Sequence, residues 1–194
     1  MAPRTREFDE NDALDKAMHL FWRKGYGETS IRDLVQSTGV AHAGLYAAFG
    51  DKDGLFKASI EKYASEILGA NFATLERPEA GRAEIEALFN KASNAFQKGI
   101  LSKGCFVANS AVEFAGSSGP IATFVRRCFL REVKAFENAL QNAVASGAVR
   151  SDLKIKRVAH AMATMFFGMS AVARAGGPSA AIKDAAAVAI AQMD

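Results

Sequence analysis

The sequence predicts an all-α fold with a small N-terminal domain and a larger C-terminal helical domain. Three observations support this prediction: apolar residues recur at helical spacing, capping residues and glycines separate the helical segments, and no stretch alternates apolar and polar residues as a strand would. The chain has 194 residues, of which nearly half are hydrophobic. A chain of this size and composition can bury a sizeable core.

The first predicted helix begins at Asp9 or Asn11, since either side chain can cap it, and ends near Gly25. Its apolar residues recur at helical spacing and are predicted to face the core: Leu14, Ala17, Met18, Phe21 and Trp22. A helix with one apolar face needs other helices to cover that face.

A helix, a tight turn and a second helix are predicted next. Ser30 is a good N-cap, and Asp33 completes a capping-box pair three residues later. Gly39 ends this helix, because glycine readily takes the positive φ that such a turn needs. A short helix around Leu45 follows, and Asp51 is placed to cap a third one. This order is that of a helix-turn-helix, which makes DNA the first partner to consider.

The rest of the chain is also predicted to be helical. Pro120 suits the first turn of a helix, and Ser151 or Asp152 can cap a later one. The predicted helices cover residues 52–75, 80–101, 105–114, 120–146 and 153–175, and a last one ends near residue 193.

Residues 13–56 resemble the DNA-binding segment of TetR-type transcriptional regulators. The motifs T-S-I-R-D-L-V, T-G-V and G-L-Y-A-A-F-G-D-K-D-G-L-F recur at that family's spacing. The resemblance implies a helix-turn-helix DNA-binding domain over residues 1–50 and a helical effector-binding and dimerisation domain over residues 51–194. It also implies a cytoplasmic, ligand-responsive repressor that binds a palindromic, double-stranded DNA operator as a homodimer and is released by a small molecule.

The residues expected to bind DNA lie on the helix-turn-helix and at the start of the next helix. They are Thr29, Ser30, Arg32, Ala41, His42, Ala43, Gly44, Tyr46 and Lys52. Tyr46 and Lys52 match family positions that hold the DNA backbone. His42 is the best candidate for a base edge, although a solvent-facing histidine is equally compatible with the sequence.

Other positions depart from the family pattern. Ala41 stands where a serine or threonine cap is common, and Ala47 and Ala48 stand where larger or polar residues often read DNA. Gly44 is expected to permit a close approach. Readout by hydrogen bonds is therefore expected to be sparse, with apolar contacts to thymine methyl groups and DNA shape carrying much of the specificity.

Charge alone does not predict DNA binding. Residues 1–52 are slightly acidic, so their acidic side chains are expected to face away from the phosphates. Arg4 and Arg6 lie on an N-terminal arm that either adds DNA contacts or is disordered.

A small-molecule effector is expected to bind among aromatic residues of the larger domain, although for any individual side chain filling the core is the favoured role. Asn109 and Glu113 interrupt apolar faces and require polar partners, whether a ligand, the backbone or water. The candidate lining residues are Phe72, Phe89, Phe96, Cys105, Phe106, Asn109, Glu113, Phe124, Met162 and Phe166.

The dimer is expected to form through the last two helices, as a four-helix bundle across a two-fold axis. The alternative is that both helices pack only within their own chain. The predicted dimer faces are Ala159, Ala163, Phe166, Phe167, Ser170 and Ala171 on the first of them, and Ile182, Ala185, Ala186, Ala189, Ile190 and Met193 on the second.

The sequence offers little support for other classes of site. Cys105 could sense oxidants or electrophiles, but an inert buried cysteine is favoured there and at Cys128. The apolar stretch 158–172 is too short and too interrupted to favour a membrane span. The histidines are scattered, so we expect neither a metal site nor a cofactor.

Two alternatives to a regulator are an all-α enzyme and a helical adaptor that binds other proteins. The sequence has no HExxH, GxGxxG, GxxxxGK[ST] or GxSxG motif, so no catalytic residue is predicted and the enzyme is disfavoured. DNA binding would separate the regulator from both alternatives.

Overall fold

The computed structural model describes residues 8–97 and 102–194, and every regular element in these ranges is helical, as predicted. A π-helical segment, Ala64–Leu68, lies between the fourth and fifth helices. The helices are α1 (Glu10–Lys24), α2 (Ile31–Thr38), α3 (His42–Phe49), α4 (Lys52–Tyr63), α5 (Gly69–Phe72), α6 (Arg82–Gln97), α7 (Phe106–Glu113), α8 (Pro120–Ala145), α9 (Ile155–Arg174) and α10 (Ser179–Ala191).

The chain divides into two compact units, Met1–Glu66 and Ile67–Asp194. The sequence prediction ended the first domain at residue 50 and assigned α4 to the second. In the structure α4 packs against α1 within the first unit. Burial explains this arrangement, because Phe56 of α4 is completely buried and would be exposed without α1.

Aromatic side chains form the core of the first unit. The rings of Phe21 and Phe56 meet edge to face with their centroids 5.0 Å apart. The rings of Trp22 and Tyr63 do so at 4.9 Å. Edge-to-face pairs of this kind add to the free energy gained from burial alone. They fix α4 against α1 and thereby fix the start of α4.

Local capping sets several helix ends of the first unit, as predicted. Asp9 caps α1 by accepting a hydrogen bond from the Asn11 amide at 2.8 Å. Ser30 and Asp33 form the capping box at the start of α2. Gly39 ends α2 with a left-handed φ of 75°. Asp51 caps α4 through the Gly54 amide.

Two features of the later helices differ from the sequence prediction. The helix expected over residues 52–75 is interrupted by the π-helical segment, where the hydrogen-bond register changes. Ser151 and Asp152 do not cap α9. That helix begins at Ile155 after Lys154, which makes no side-chain capping bond.

The second unit is a helical bundle with an aromatic core. Helix α8 packs on α9, α7 and α6, and α10 packs on α6 and α9. Polar contacts also join residues of this unit that are far apart in the sequence. The Arg82 guanidinium pairs with the Asp194 carboxylate at 2.6 Å, and the Asn142 side-chain amide donates to the Pro78 and Ala80 carbonyls. Within the described ranges, no helix is long and apolar enough to cross a membrane.

Candidate DNA interface and effector region

Helix α3 presents most of its surface outward. Leu45 is its only buried residue and anchors it to the unit. His42, Ala43 and Ala47 are exposed, and Tyr46 is half-buried. Residues four apart lie on one helix face, so His42 and Tyr46 form one stripe and the two alanines form a second beside it. The His42 and Tyr46 rings meet edge to face with centroids 4.1 Å apart.

The starts of α2 and α3 differ in how their amide groups are satisfied. At α2, the Ser30 hydroxyl accepts from the Asp33 amide at 3.1 Å, and the Asp33 carboxylate accepts from the Ser30 amide at 2.9 Å. At α3, Ala41 precedes the helix and offers no side-chain cap. Ala41 therefore supplies no side-chain acceptor for the first-turn amides of α3, and an anion can bind at this helix start.

The Asp33 carboxylate is held in its charged form. The Lys24 ammonium donates to it at 2.9 Å. This bond, followed by the bonds from Ser30, lowers the pKa of Asp33 well below its ordinary value. Asp33 is therefore neutralised by a neighbour inside the unit.

Two other acidic side chains near the helix-turn-helix are also paired. Asp12 lies 2.7 Å from the Lys16 nitrogen, and Asp15 lies 3.2 Å from the Lys62 nitrogen. These ion pairs reduce the negative potential that is expected from the slightly acidic residues 1–52. The predicted arm residues Arg4 and Arg6 lie outside the described residues.

Two predicted DNA-binding residues have internal roles instead. Thr29 is completely buried, and its hydroxyl donates to the Gly25 carbonyl at 2.6 Å, so that hydroxyl is not available to a phosphate. A Cβ atom on Gly44 would lie 3.0 Å from a Val40 methyl carbon and 3.3 Å from the Phe8 ring. The missing side chain of Gly44 thus allows packing inside the unit, while a close approach to DNA at this position stays a prediction.

Tyr26 is a residue that the sequence interpretation missed. The Lys52 nitrogen lies 4.1 Å from the centroid of the Tyr26 ring, in a cation–π contact. The Tyr26 hydroxyl donates to the Asp53 carboxylate, and this bond, together with burial, raises the pKa of Tyr26 to about 12. Tyr26 therefore holds the charged end of Lys52 at the start of α4. Arg32 and Ser30 are exposed beside the start of α2.

Three of the predicted effector residues come together in the second unit. Phe72 and Phe89 each pack against both Phe136 and Phe166, and all four are buried. Phe72 lies 5.8 Å from Phe136 and 5.3 Å from Phe166, while Phe89 lies 5.7 Å from Phe136 and 6.0 Å from Phe166, measured between ring centroids. We call these four residues the phenylalanine cluster.

The remaining predicted effector residues are more dispersed. Met162, Cys105 and Phe106 are buried, and Phe96 is half-buried. The Asn109 side-chain amide donates to the Lys103 backbone carbonyl at 2.9 Å, so a nearby backbone group is the polar partner of this side chain.

Two of these residues lie near the surface instead. Glu113 is exposed at the end of α7 and does not line the interior, contrary to the prediction. Phe124 lies half-exposed against the Arg127 guanidinium.

Glu132 is the polar group that the sequence interpretation overlooked in this region. It lies on α8, is only 2% exposed, and neither carboxylate oxygen has a hydrogen-bond partner among the described residues. Burial raises the pKa of this carboxyl to about 8, against a smaller opposing effect of Arg131. A signal was present in the sequence: Val125, Cys128, Glu132 and Phe136 share one helix face, and the glutamate interrupts it.

Both cysteines are buried, as the favoured interpretation predicted, and they form no disulfide. Burial and, to a lesser degree, the nearby Glu132 carboxyl raise the pKa of the Cys128 thiol to about 11. A thiol with so high a pKa forms little reactive thiolate at neutral pH.

Most residues of the predicted dimer faces are buried by packing within the chain. Ala159, Ala163, Phe166 and Ser170 of α9 and Ile182, Ala186, Ala189 and Met193 are all buried. The apolar surface that remains exposed shares Ala171 with the predicted faces and otherwise differs from them. It includes Gly168, Ala171 and Val172 on α9 and Val188 on α10.

Comparison with known proteins identifies this arrangement. The family model described as bacterial regulatory proteins, tetR family, matches residues 13–59, and the one described as tetracyclin repressor-like, C-terminal domain, matches residues 81–189. The chain is 32% identical to the HTH-type transcriptional repressor ComR of Escherichia coli (strain K12), over 89% of this chain and 83% of that protein. It is 30% identical to the repressor BdcR of the same organism, with the same coverage of each chain.

A solved structure has the same fold over the whole chain. A cysteine mutant of the TetR family transcriptional regulator CifR, complexed with 26 bp double-strand operator DNA, superposes with a TM-score of 0.85 at 24% identity. The superposition covers 99% of this chain and 100% of that one. Since the matched family consists of regulatory proteins, the enzyme alternative is excluded. The chain is a member of the tetR family of bacterial regulatory proteins.

Proposed function

We propose that this DNA-binding regulator represses transcription from a double-stranded, palindromic operator, which it binds as a homodimer in the cytoplasm and leaves when a small molecule binds the second unit. The observation that carries the proposal is the outward face of α3, with Leu45 as its only buried residue. A short helix of a helix-turn-helix that presents its side chains outward fits the major groove. The names of ComR and BdcR as repressors, and the operator complex of CifR, support the same function.

Phosphate contacts position the protein in this proposal. The uncapped start of α3 offers backbone amides to one phosphate, while the Tyr46 hydroxyl and the Lys52 ammonium reach others. Ser30 and Arg32 lie exposed at the start of α2 and add to this backbone contact. None of these contacts distinguishes one base pair from another.

Base readout is assigned to the exposed stripes of α3. The His42 imidazole can hydrogen-bond to a base edge, and the Ala43 and Ala47 methyl groups can pack on thymine methyl groups. Few hydrogen bonds are available on this surface. DNA shape therefore supplies part of the specificity.

A homodimer gives the two copies of α3 that a palindromic operator requires. Because most of the predicted faces are buried within the chain, we assign the interface to the apolar residues that stay exposed on α9 and α10. Val188 is 50% exposed and Val172 is 36% exposed. Small residues beside them, such as Gly168 and Ala171, permit close helix packing between two copies.

Selection from a random pool of double-stranded DNA tests the proposal. Purified protein should enrich a palindromic sequence and bind it in a fluorescence anisotropy titration. Ala43→Glu places a negative charge on the proposed interface and should weaken binding at least tenfold. Ala83→Glu, an equally charged change on an exposed position of α6, is the matched control and should bind as the wild type does. Failure to enrich any sequence, or equal binding by both variants, would overturn the proposal.

A further inference from the structure

We propose that Glu132 is the polar anchor of the effector site, and that the effector is a small organic ammonium ion with an aromatic or other apolar group. This inference rests on the proposed function, because it names the chemical class of the molecule that binds the second unit. It starts from a carboxyl group that the fold buries and leaves without any hydrogen-bond partner among the described residues.

An unpartnered buried carboxyl destabilises the free protein. The group loses its water on folding and gains no protein hydrogen bond in return. Replacing such a group by an apolar side chain of similar shape is commonly neutral or stabilising. A ligand that donates hydrogen bonds to Glu132 removes this cost, and the carboxyl thus favours the bound state over the free one.

The surroundings of Glu132 select the class of ligand. Phe136 lies one turn further along α8 on the same face, and helical side chains lean toward the preceding turn. Phe136 belongs to the phenylalanine cluster, whose members lie on α5, α6, α8 and α9. The ring centroids in the four contacts described above are at most 6.0 Å apart. A carboxylate one helical turn from the ring of Phe136, which packs on Phe72 and Phe89, suits an organic cation, because ring faces attract positive charge as well.

Among the described residues, Glu132 is the only buried aspartate, glutamate, lysine or arginine side chain. The buried residues of α6, α7 and α9, the helices packed on α8, include no ionisable group in the described ranges, and their buried polar residues are Ser93, Ser110 and Ser170. Arg131 and Cys128, the ionisable neighbours of Glu132, lie on its own helix.

A metal ion is a poorer fit than an organic cation. In the described part of the chain, no group of three or more histidine, cysteine, aspartate or glutamate side chains could hold a metal. One carboxylate with aromatic neighbours lacks the several donor atoms that a metal site needs.

Binding should be accompanied by release of a proton. With its pKa near 8, the Glu132 carboxyl is mostly protonated at pH 7 in the free protein. An ammonium ion favours the charged carboxylate, so the carboxyl proton passes to the buffer when the ion binds. A neutral alcohol of the same shape can hydrogen-bond to the protonated acid and releases no proton.

Calorimetry with matched probes tests the inference. The probes are benzylamine, 2-phenylethylamine and 1-naphthylmethylamine, each compared with the corresponding alcohol at pH 7 in buffers of different ionisation enthalpy. At least one amine should bind roughly ten- to a hundredfold more tightly than its alcohol and release close to one proton. Glu132→Gln should remove both the preference and the proton release. Glu137→Gln, on the same helix but paired with Lys134, is the matched control and should keep both.

The outcomes separate this inference from the proposed function. If no amine binds more tightly than its alcohol, or if Glu132→Gln retains the preference, the inference fails whether or not the wild type binds its selected DNA. If the wild type selects no DNA, the proposed function fails, whereas amine binding at Glu132 would still stand as a property of the second unit. Proton release by the wild type is measured without any substitution and does not depend on the folding of a variant.

Discussion

The Lys52 ammonium nitrogen lies 4.1 Å from the centre of the Tyr26 ring. The two residues are far apart in sequence, and the contact brings the turn after α1 against the start of α4. The Tyr26 hydroxyl is held in turn by Asp53. A positive charge proposed to meet DNA is thus positioned by an aromatic ring before any DNA arrives, which lowers the entropic cost of ordering a long side chain on binding.

The first prediction concerns phosphate contacts. Tyr46→Phe and Lys52→Ala should weaken binding about equally on the selected operator and on unrelated DNA, because phosphates carry no sequence information. Lys52→Ala should also reduce the slope of log affinity against log salt by about one unit. Anisotropy titrations at several salt concentrations measure both effects, with Lys134→Ala in the second unit as the charge control. A loss confined to the operator would contradict this role.

The second prediction concerns base readout by His42. His42→Ala should cost about 1–3 kcal/mol on the selected operator and relax the preference at one symmetric pair of positions. Repeating the DNA selection with the variant identifies those positions. Tyr46→Phe keeps the ring against which His42 packs and should leave the base preference intact. An unchanged base preference in His42→Ala would show that the His42 side chain faces solvent and contacts no base.

The third prediction concerns the dimer. Val188→Arg introduces a charge on the exposed apolar surface of α10. It should shift the protein toward monomers and weaken operator binding. Val112→Arg is the matched control, since Val112 is 75% exposed on α7 and lies outside the proposed interface. Sedimentation velocity gives the oligomeric state of each. If Val188→Arg stays dimeric, α10 is not part of the interface.

The fourth prediction concerns pH and stability. The folded protein keeps the Glu132 proton up to about pH 8, whereas an unfolded chain loses it near the ordinary pKa of 4.5. Between these values the folded state binds more protons, so this residue makes the free energy of unfolding fall as pH rises, by at most about 1.4 kcal/mol per pH unit. Glu132→Met should remove that part of the slope in urea unfolding measured from pH 5 to pH 8. A slope identical to that of the wild type would show that the carboxyl titrates normally.

The fifth prediction concerns regulation. A hundredfold loss of operator affinity requires about 2.7 kcal/mol of differential ligand binding between two conformations, a size usual for allosteric coupling. By linkage, saturating operator must weaken effector binding by the same factor. Calorimetry of the effector with and without operator DNA measures this. Equal affinities would refute release by the ligand, however tightly it binds.

The sequence predicted those features that depend on neighbouring residues. Ser30 and Asp33 are three residues apart, so their capping box can be read from the chain, and so can the left-handed Gly39. Thr29 could not be assigned in this way. Its exposed or buried state depends on how α1 and α2 pack, and a threonine before a helix suits either role.

The second unit was harder to predict for the same physical reason. An apolar helix face does not reveal whether it will meet its own chain or a second copy, and Ala186 and Ala189 proved to be buried within the chain. The carboxyl of Glu132 lies on a face with Cys128 and Phe136, but only tertiary packing decides that water is excluded from it.

The single anchor of α3 has an evolutionary consequence. Because Leu45 alone is buried in α3, substitutions at Ala43, Ala47 or His42, the residues proposed to read bases, should change operator preference while costing the fold little. Duplicated genes for such a protein can therefore diverge to new operators by a few changes on one helix, without compensating changes in the core. Gly44 and Val40, whose close packing supports that helix, are expected to stay fixed while the residues around them vary.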